Sequence, residues 1–187
     1  MSAVKVGQFD VSALAEKLQD ESLYGLYPFR KYTDVHNDMT DIWVRYNDIS
    51  NFGEHFNDEH TSVWYPIITQ IPEVLPIVMG IMQGCHGERL GGVLITKLPA
   101  GGRIEPHIDE GWHAEYYQKF YVAIQNDKGC LFCWDDMTVE AEVGEVYEFD
   151  NSVNHWVENN SDRDRIALIV CIKTLASAIG EIRSDDD

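Results

Sequence analysis

His107 and Asp109 form the pair whose types and spacing carry the most chemical content in this chain. One residue separates them within a strand-like run, Arg103 to Asp109, so both side chains leave the same face and can reach one metal ion. Two donors do not complete a site, and His155 is the best third. It follows the strand-like Val146-Tyr-Glu-Phe149 and the turn-rich Asp150-Asn-Ser-Val-Asn154, which can return the chain opposite the first pair. Two imidazoles and a carboxylate on one face of an octahedron leave three positions open, the arrangement of iron(II) oxygenases. A closed four-ligand zinc site would leave none. The remaining His, at 36, 55, 60, 86 and 113, have no partner at a useful spacing and read as surface or hydrogen-bonded core residues.

Arg165 lies ten residues beyond His155 and opens the apolar run Ile166-Ala-Leu-Ile-Val-Cys-Ile172. At the start of an inner strand, a guanidinium fork can take a carboxylate through two parallel hydrogen bonds and stays charged when partly buried. That suits the distal carboxylate of 2-oxoglutarate, whose other end would chelate iron. A strand-end salt bridge is the plainer role for Arg165. Arg163 is the alternative guanidinium, but its place inside Asn159-Asn-Ser-Asp-Arg-Asp164 predicts an exposed side chain.

The elements that must position these residues are short and mostly extended. From Gly91 onward, β-like runs alternate with turn residues: 92–98, 103–109, 120–125, 130–134, 138–143, 146–149, 155–157 and 165–173. Many short strands at this spacing predict a sandwich or barrel, here a jelly roll of the double-stranded β-helix or cupin kind with helices packed on one side. Before it, Asp10 can cap a helix over Val11 to Leu18, and the stripe Val74, Leu75, Val78, Met79, Met82 predicts a second helix over about Pro72 to Met82. Asp41 to Arg45 has strand character and Asn51 to His60 loop character. The expected organisation is one domain over 1–187, with 1–90 a helical and irregular support, 91–173 the jelly-roll core and 174–187 a tail.

The formal charge of −18 is not confined to the Asp185-Asp186-Asp187 tail: residues 103–173 hold six Lys or Arg against fifteen Asp or Glu. Such a field opposes docking onto a phosphate backbone or an anionic membrane. The N-terminus lacks the apolar core of a secretory signal and no run is long enough to span a bilayer, so a soluble, cytoplasmic protein is expected. Of the four Cys, at 85, 130, 133 and 171, the pair Cys130-Leu-Phe-Cys133 lacks the second pair that structural zinc needs, and on a strand its members face opposite sides. All four read as buried small hydrophobes.

Three stretches together carry a family resemblance: Leu98-Pro-x-Gly-Gly-x-Ile104-x-Pro-His-x-Asp109; Gly144-x-Val146-x-x-Phe149-Asp-Asn-Ser152-x-x-His155-x-Val157-x-Asn159-x-Ser161; and Arg165. Over about residues 91–173 the chain resembles the aspartyl/asparaginyl β-hydroxylase family of 2-oxoglutarate oxygenases. The resemblance implies a double-stranded β-helix, iron(II) on His107 and His155, the cosubstrate carboxylate on Arg165, O2 as oxidant, and hydroxylation of an unactivated C–H bond of an amino acid or protein side chain. Animal members of the family have Gly where Asp109 stands; bacterial relatives that act on free amino acids such as proline carry the acid. Animal members also place Arg-x-His near the cosubstrate's inner carboxylate, where this chain reads Lys119-Phe120-Tyr121, leaving Tyr121 as the available hydrogen-bond donor.

Substrate contacts are expected on loops at the mouth of the barrel. The polar-aromatic stretch Glu110 to Gln118, with Trp112, His113, Tyr116 and Tyr117, suits a lid, and Trp43, Arg45 and Tyr46 are further candidates. Two other functional classes share the pattern: a metal-dependent cupin enzyme that needs no 2-oxoglutarate, and a non-catalytic β-sandwich that binds a partner.

Overall fold

The computed structural model describes residues 1–27, 29 and 39–175; His36 and the acidic tail lie outside the described residues. Eleven strands and three helices are described among them: β1 Ala3–Gln8, α1 Ser12–Lys17, β2 Thr40–Tyr46, β3 Val63–Trp64, α2 Val74–Gly84, β4 Gly87–Leu98, β5 Arg103–His107, α3 Trp112–Tyr116, β6 Gln118–Gln125, β7 Cys130–Trp134, β8 Thr138–Val139, β9 Glu145–Phe149, β10 His155–Asn159 and β11 Arg165–Thr174. They form a seven-stranded sheet in the order β1-β9-β6-β11-β4-β2-β3 and a four-stranded sheet in the order β5-β10-β7-β8, with antiparallel pairing throughout. This is the expected jelly roll.

The period-two pattern of the central strands explains why the large sheet is covered on both faces. On β6, Phe120, Val122 and Ile124 join the core shared with α1 and α2, whereas Tyr121 and Ala123 belong to the core between the sheets. On β11, Ile166, Leu168, Val170 and Ile172 take the helix side and Ala167 the inner side. The interior of the roll is closed by Leu98, Ile104, Phe132, Phe149 and Val157, all at most 8% exposed.

Asp10 accepts hydrogen bonds from Ser12 N and Oγ just ahead of α1. The helix itself runs Ser12–Lys17, shorter than the expected Val11 to Leu18, and its cap position falls on Val11, which makes no side-chain capping bond. Helix α2 begins two residues later than expected and carries Pro76 in its first turn, where the missing N–H leaves no helical bond unmade. The region before Gly91 differs most from expectation, because besides the strand expected at Asp41 to Arg45, now β2, it supplies β1 and β3 to the large sheet. Strand β1 escapes a reading by alternation because it is an edge strand with mostly polar or partly exposed residues, held by its register with β9. The run 138–143 is strand only at its first two residues. The chain then turns: Glu140 accepts from Gly129 N, Glu145 accepts from Glu142 N, and Gly144 takes φ +88°. No helix among the described residues is long and apolar enough to cross a membrane.

Candidate metal and cosubstrate site

His107 ends β5 and His155 begins β10, and the two stand directly opposite each other in the antiparallel ladder. Their rings are 4.4 Å apart between centroids. Asp109 lies two residues beyond the strand, where its backbone N–H donates to Asn151 O (3.0 Å) and draws its side chain back over the pair. Its Oδ1 is 3.7 Å from His107 Nε2 and its Oδ2 3.7 Å from His155 Nε2. One donor atom from each of the three lies within 4.8 Å of the others.

Both imidazoles are oriented by the same device. His107 Nδ1 lies 2.7 Å from Glu105 O and His155 Nδ1 2.9 Å from Val153 O, each the carbonyl two residues earlier. A carbonyl only accepts, so each Nδ1 carries a proton and each ring is held with Nε2 turned toward the cluster. Burial lowers the pKa of His155 below its ordinary value, partly offset by the Val153 carbonyl and Asp109, which favours the neutral ring that a metal requires.

Lys119, on the inner face of β6, donates from Nζ to Asp109 Oδ2 at 2.5 Å. Reading the sequence passed over this residue for Tyr121. The available signal was the same alternation: 119 and 121 share a strand face, and only one of them is charged.

Below the cluster runs a narrow cavity whose lining includes Ile104, Phe132, Phe149, Val157 and Ile169, with Arg165 among its walls. Arg165 opens β11 opposite Leu98 and is 3% exposed. The turn before it is clamped by the fully buried Asn159, whose Nδ2 lies within 3.1 Å of the carbonyls of Leu98, Pro99 and Arg163. The guanidinium stacks over Tyr121 at 4.9 Å, and its Nε is buried with no hydrogen-bond partner. Among the described residues no acid pairs with it, so the salt-bridge role for Arg165 is not what the geometry shows. Arg163 is exposed and pairs with Asp127 at 3.5 Å, as its polar surroundings predict.

Tyr121 is buried beneath Arg165 and does not border the cavity; its hydroxyl donates to Asn126 at 3.4 Å. Burial raises its pKa, opposed by the neighbouring guanidinium.

A second chamber, of about 430 Å³, opens on the other side of Asp109 and Lys119. Trp43, Arg45, Tyr46 and His113 line it, joined by Phe29, Phe52 and Phe56, which the sequence left unread. Trp112 and Tyr116 border neither space: they stack on each other at 5.1 Å centroid separation. The expected lid over 110–118 is instead the short helix α3, anchored by His113, which is 8% exposed and accepts from Gly92 N at 3.1 Å. A buried side chain bonded to β4 ties the segment to the sheet. Cys130, Cys133 and Cys171 are buried, and Cys85 is half-buried.

The donor set fits iron(II) held on one face with open positions, and the buried, unsatisfied Arg165 Nε fits a carboxylate at the far end of the cavity.

Comparison with known proteins supplies a family match. The family model described as Aspartyl/Asparaginyl beta-hydroxylase matches residues 30–174. No curated protein sequence matches the chain. Among solved structures, an oxidoreductase of the 2OG-Fe(II) oxygenase family from Burkholderia pseudomallei superposes with a TM-score of 0.56 at 9% identity, covering 91% of this chain and 94% of that one. A Pseudomonas putida prolyl-4-hydroxylase gives 0.52 at 14% identity, covering 92% of each chain. A viral collagen prolyl hydroxylase from Paramecium Bursaria Chlorella virus-1, in complex with 2OG, gives 0.52 at 8%, covering 94% and 97%. At such identities the likeness is one of fold.

Proposed function

Because this chain belongs to the aspartyl/asparaginyl β-hydroxylase family, whose enzymes use iron(II), 2-oxoglutarate and O2, we propose that His107, Asp109 and His155 hold the iron and Arg165 the distal carboxylate of the cosubstrate. The reaction is hydroxylation of an unactivated C–H bond of an amino acid or a protein side chain, with release of succinate and CO2. The observation that carries this reading is the convergence of three donor atoms within 4.8 Å at the mouth of a cavity ending in an arginine without an acid partner among the described residues.

When bound, iron(II) with 2-oxoglutarate and O2 supplies the oxidising chemistry; the chain supplies binding, orientation and exclusion of water. The carbonyls of Glu105 and Val153 hold both His rings with Nε2 turned to the cluster. Lys119 restrains one carboxylate oxygen of Asp109. Arg165, backed by Tyr121 and by the Asn159 clamp, offers its fork to a carboxylate inside an apolar sleeve, where a charge-assisted bond is strongest. A cytoplasmic location belongs to the same reading, supported by the free thiols of Cys85, Cys130 and Cys133.

The test is succinate release by purified protein supplied with iron(II), ascorbate and 2-oxoglutarate. The expected results are stoichiometric iron, joint binding of iron and 2-oxoglutarate, and slow turnover even without substrate. Absence of joint binding together with absence of turnover across varied substrates refutes the reading. An enzyme of the same fold that does not use 2-oxoglutarate would be indifferent to Arg165→Ala.

A further inference from the structure

The outer chamber contains a second arginine in the same predicament as Arg165. In a chain with 32 acids and 14 Lys or Arg, an arginine at a cavity wall is expected to find a carboxylate. Arg45 has found none among the described residues. Its Nη2 reaches Leu90 O at 3.3 Å and its guanidinium lies over the Trp64 ring at 5.1 Å, while its Nε is buried with no hydrogen-bond partner. Tyr117, whose charge state bears on Arg45, has its hydroxyl oxygen buried and unsatisfied as well. Burial lowers the Arg45 pKa from its ordinary value, as expected of a cation withdrawn from water without a matching anion.

The rest of the chamber narrows what that anion belongs to. Its volume of about 430 Å³ falls in the range of small-molecule sites. One wall is aromatic: Phe29 packs against Trp43, Phe52 and Phe56 with centroids 5.2, 5.1 and 4.8 Å away. The lining also includes Asp109, Glu110 and Lys119, of which Asp109 and Lys119 are the border with the metal cluster. Lys119 on β6 and Arg45 on β2 are three strands apart in the sheet, about 14 Å between backbones at the usual strand spacing.

Resting on the oxygenase reading above, we propose that the substrate is a small molecule bearing a free carboxylate, which Arg45 binds while the aromatic wall holds an apolar body with its reacting carbon toward Asp109. Arg45 is then a substrate-binding and specificity-determining residue, and a side chain within an intact protein is not the preferred target.

The experiment measures succinate release above the substrate-free rate for the L-amino acids and simple alkyl and aryl carboxylates, each beside its primary amide. Capped peptides whose only carboxylates are internal Asp or Glu form a further arm. At least one free acid is expected to stimulate turnover, with its amide weaker by about tenfold or more in KM, the worth of a charge-assisted bond. Arg45→Gln should erase that acid-to-amide ratio and Arg45→Lys restore part of it, with 2-oxoglutarate affinity kept in both. The proposal is overturned if no acid stimulates or binds, if acid and amide perform alike, if Arg45→Gln keeps the wild-type ratio, or if only capped peptides stimulate. In all four cases the wild type still binds iron and 2-oxoglutarate. If it binds neither, the oxygenase reading itself has failed.

Discussion

The cavity below the metal cluster and the chamber beside it share Asp109, Lys119 and Ile169 but are built differently. The inner cavity is made almost entirely of side chains from paired strands, packed from both sheets and closed by residues at most 8% exposed. The outer chamber takes its aromatic wall from β2 and from non-strand residues 29 and 52–57, outside the jelly-roll core. Each contains an arginine whose Nε has no partner, Arg165 within and Arg45 without. The difference teaches a division of labour. Rigid strands hold the groups whose geometry must not vary, and connecting segments shape the space where a substrate is chosen.

The sharpest way to break this division is at the metal cluster. His155→Ala removes a donor whose ring is locked by Val153 O, and it should abolish stoichiometric iron binding and succinate release together. Metal analysis of the purified variant checks this, and retained iron would dissolve the proposed site. Arg165→Met comes next: truncating a buried charge partner costs about 2–5 kcal/mol, so 2-oxoglutarate should bind roughly thirty- to several-thousand-fold more weakly while iron remains bound. Equilibrium titration with iron present measures it. An equal loss of 2-oxoglutarate affinity in Arg45→Gln would mean that the two spaces are not separate.

Lys119→Met tests the border itself. Groups that orient metal ligands are worth about 10–100-fold in metal affinity, and a loss of this order is expected in competition with a chelator. Unchanged metal affinity would reduce Lys119 to a charge-balancing neighbour. The smallest effect belongs to Tyr121→Phe. The lost hydroxyl makes a 3.4 Å contact with Asn126 and a side-chain hydrogen bond with Arg165, while the ring beneath Arg165 is kept. Urea unfolding should shift by no more than about 1 kcal/mol, with 2-oxoglutarate affinity within a fewfold of wild type.

These variants also mark where the sequence was informative. His107, Asp109, His155 and Arg165 were legible because strand alternation and one intervening turn suffice to bring donors together. The strands of the jelly roll were legible for the same reason. Edge strand β1 was not, since its pairing with β9 draws on residues about 140 positions away. Trp112 and Tyr116 looked like substrate contacts because exposed aromatics near a site invite that reading, yet α3 turns them onto each other.

By itself, then, the sequence determined the types of the candidate metal donors, their order along the chain, the arginine proposed for the carboxylate and the β-rich class, all set by local periodicity and short-range spacing. Only the tertiary structure decided that Lys119 bonds Asp109, that β2 and residues 29 and 52–57 complete a chamber with β4, β6 and β11, and that Arg45 lines it with no acid paired to it among the described residues. The physical reason is that these features arise from strand order, β6-β11-β4-β2, and from long-range packing. No pattern of period two or 3.6 records which distant strand will lie alongside.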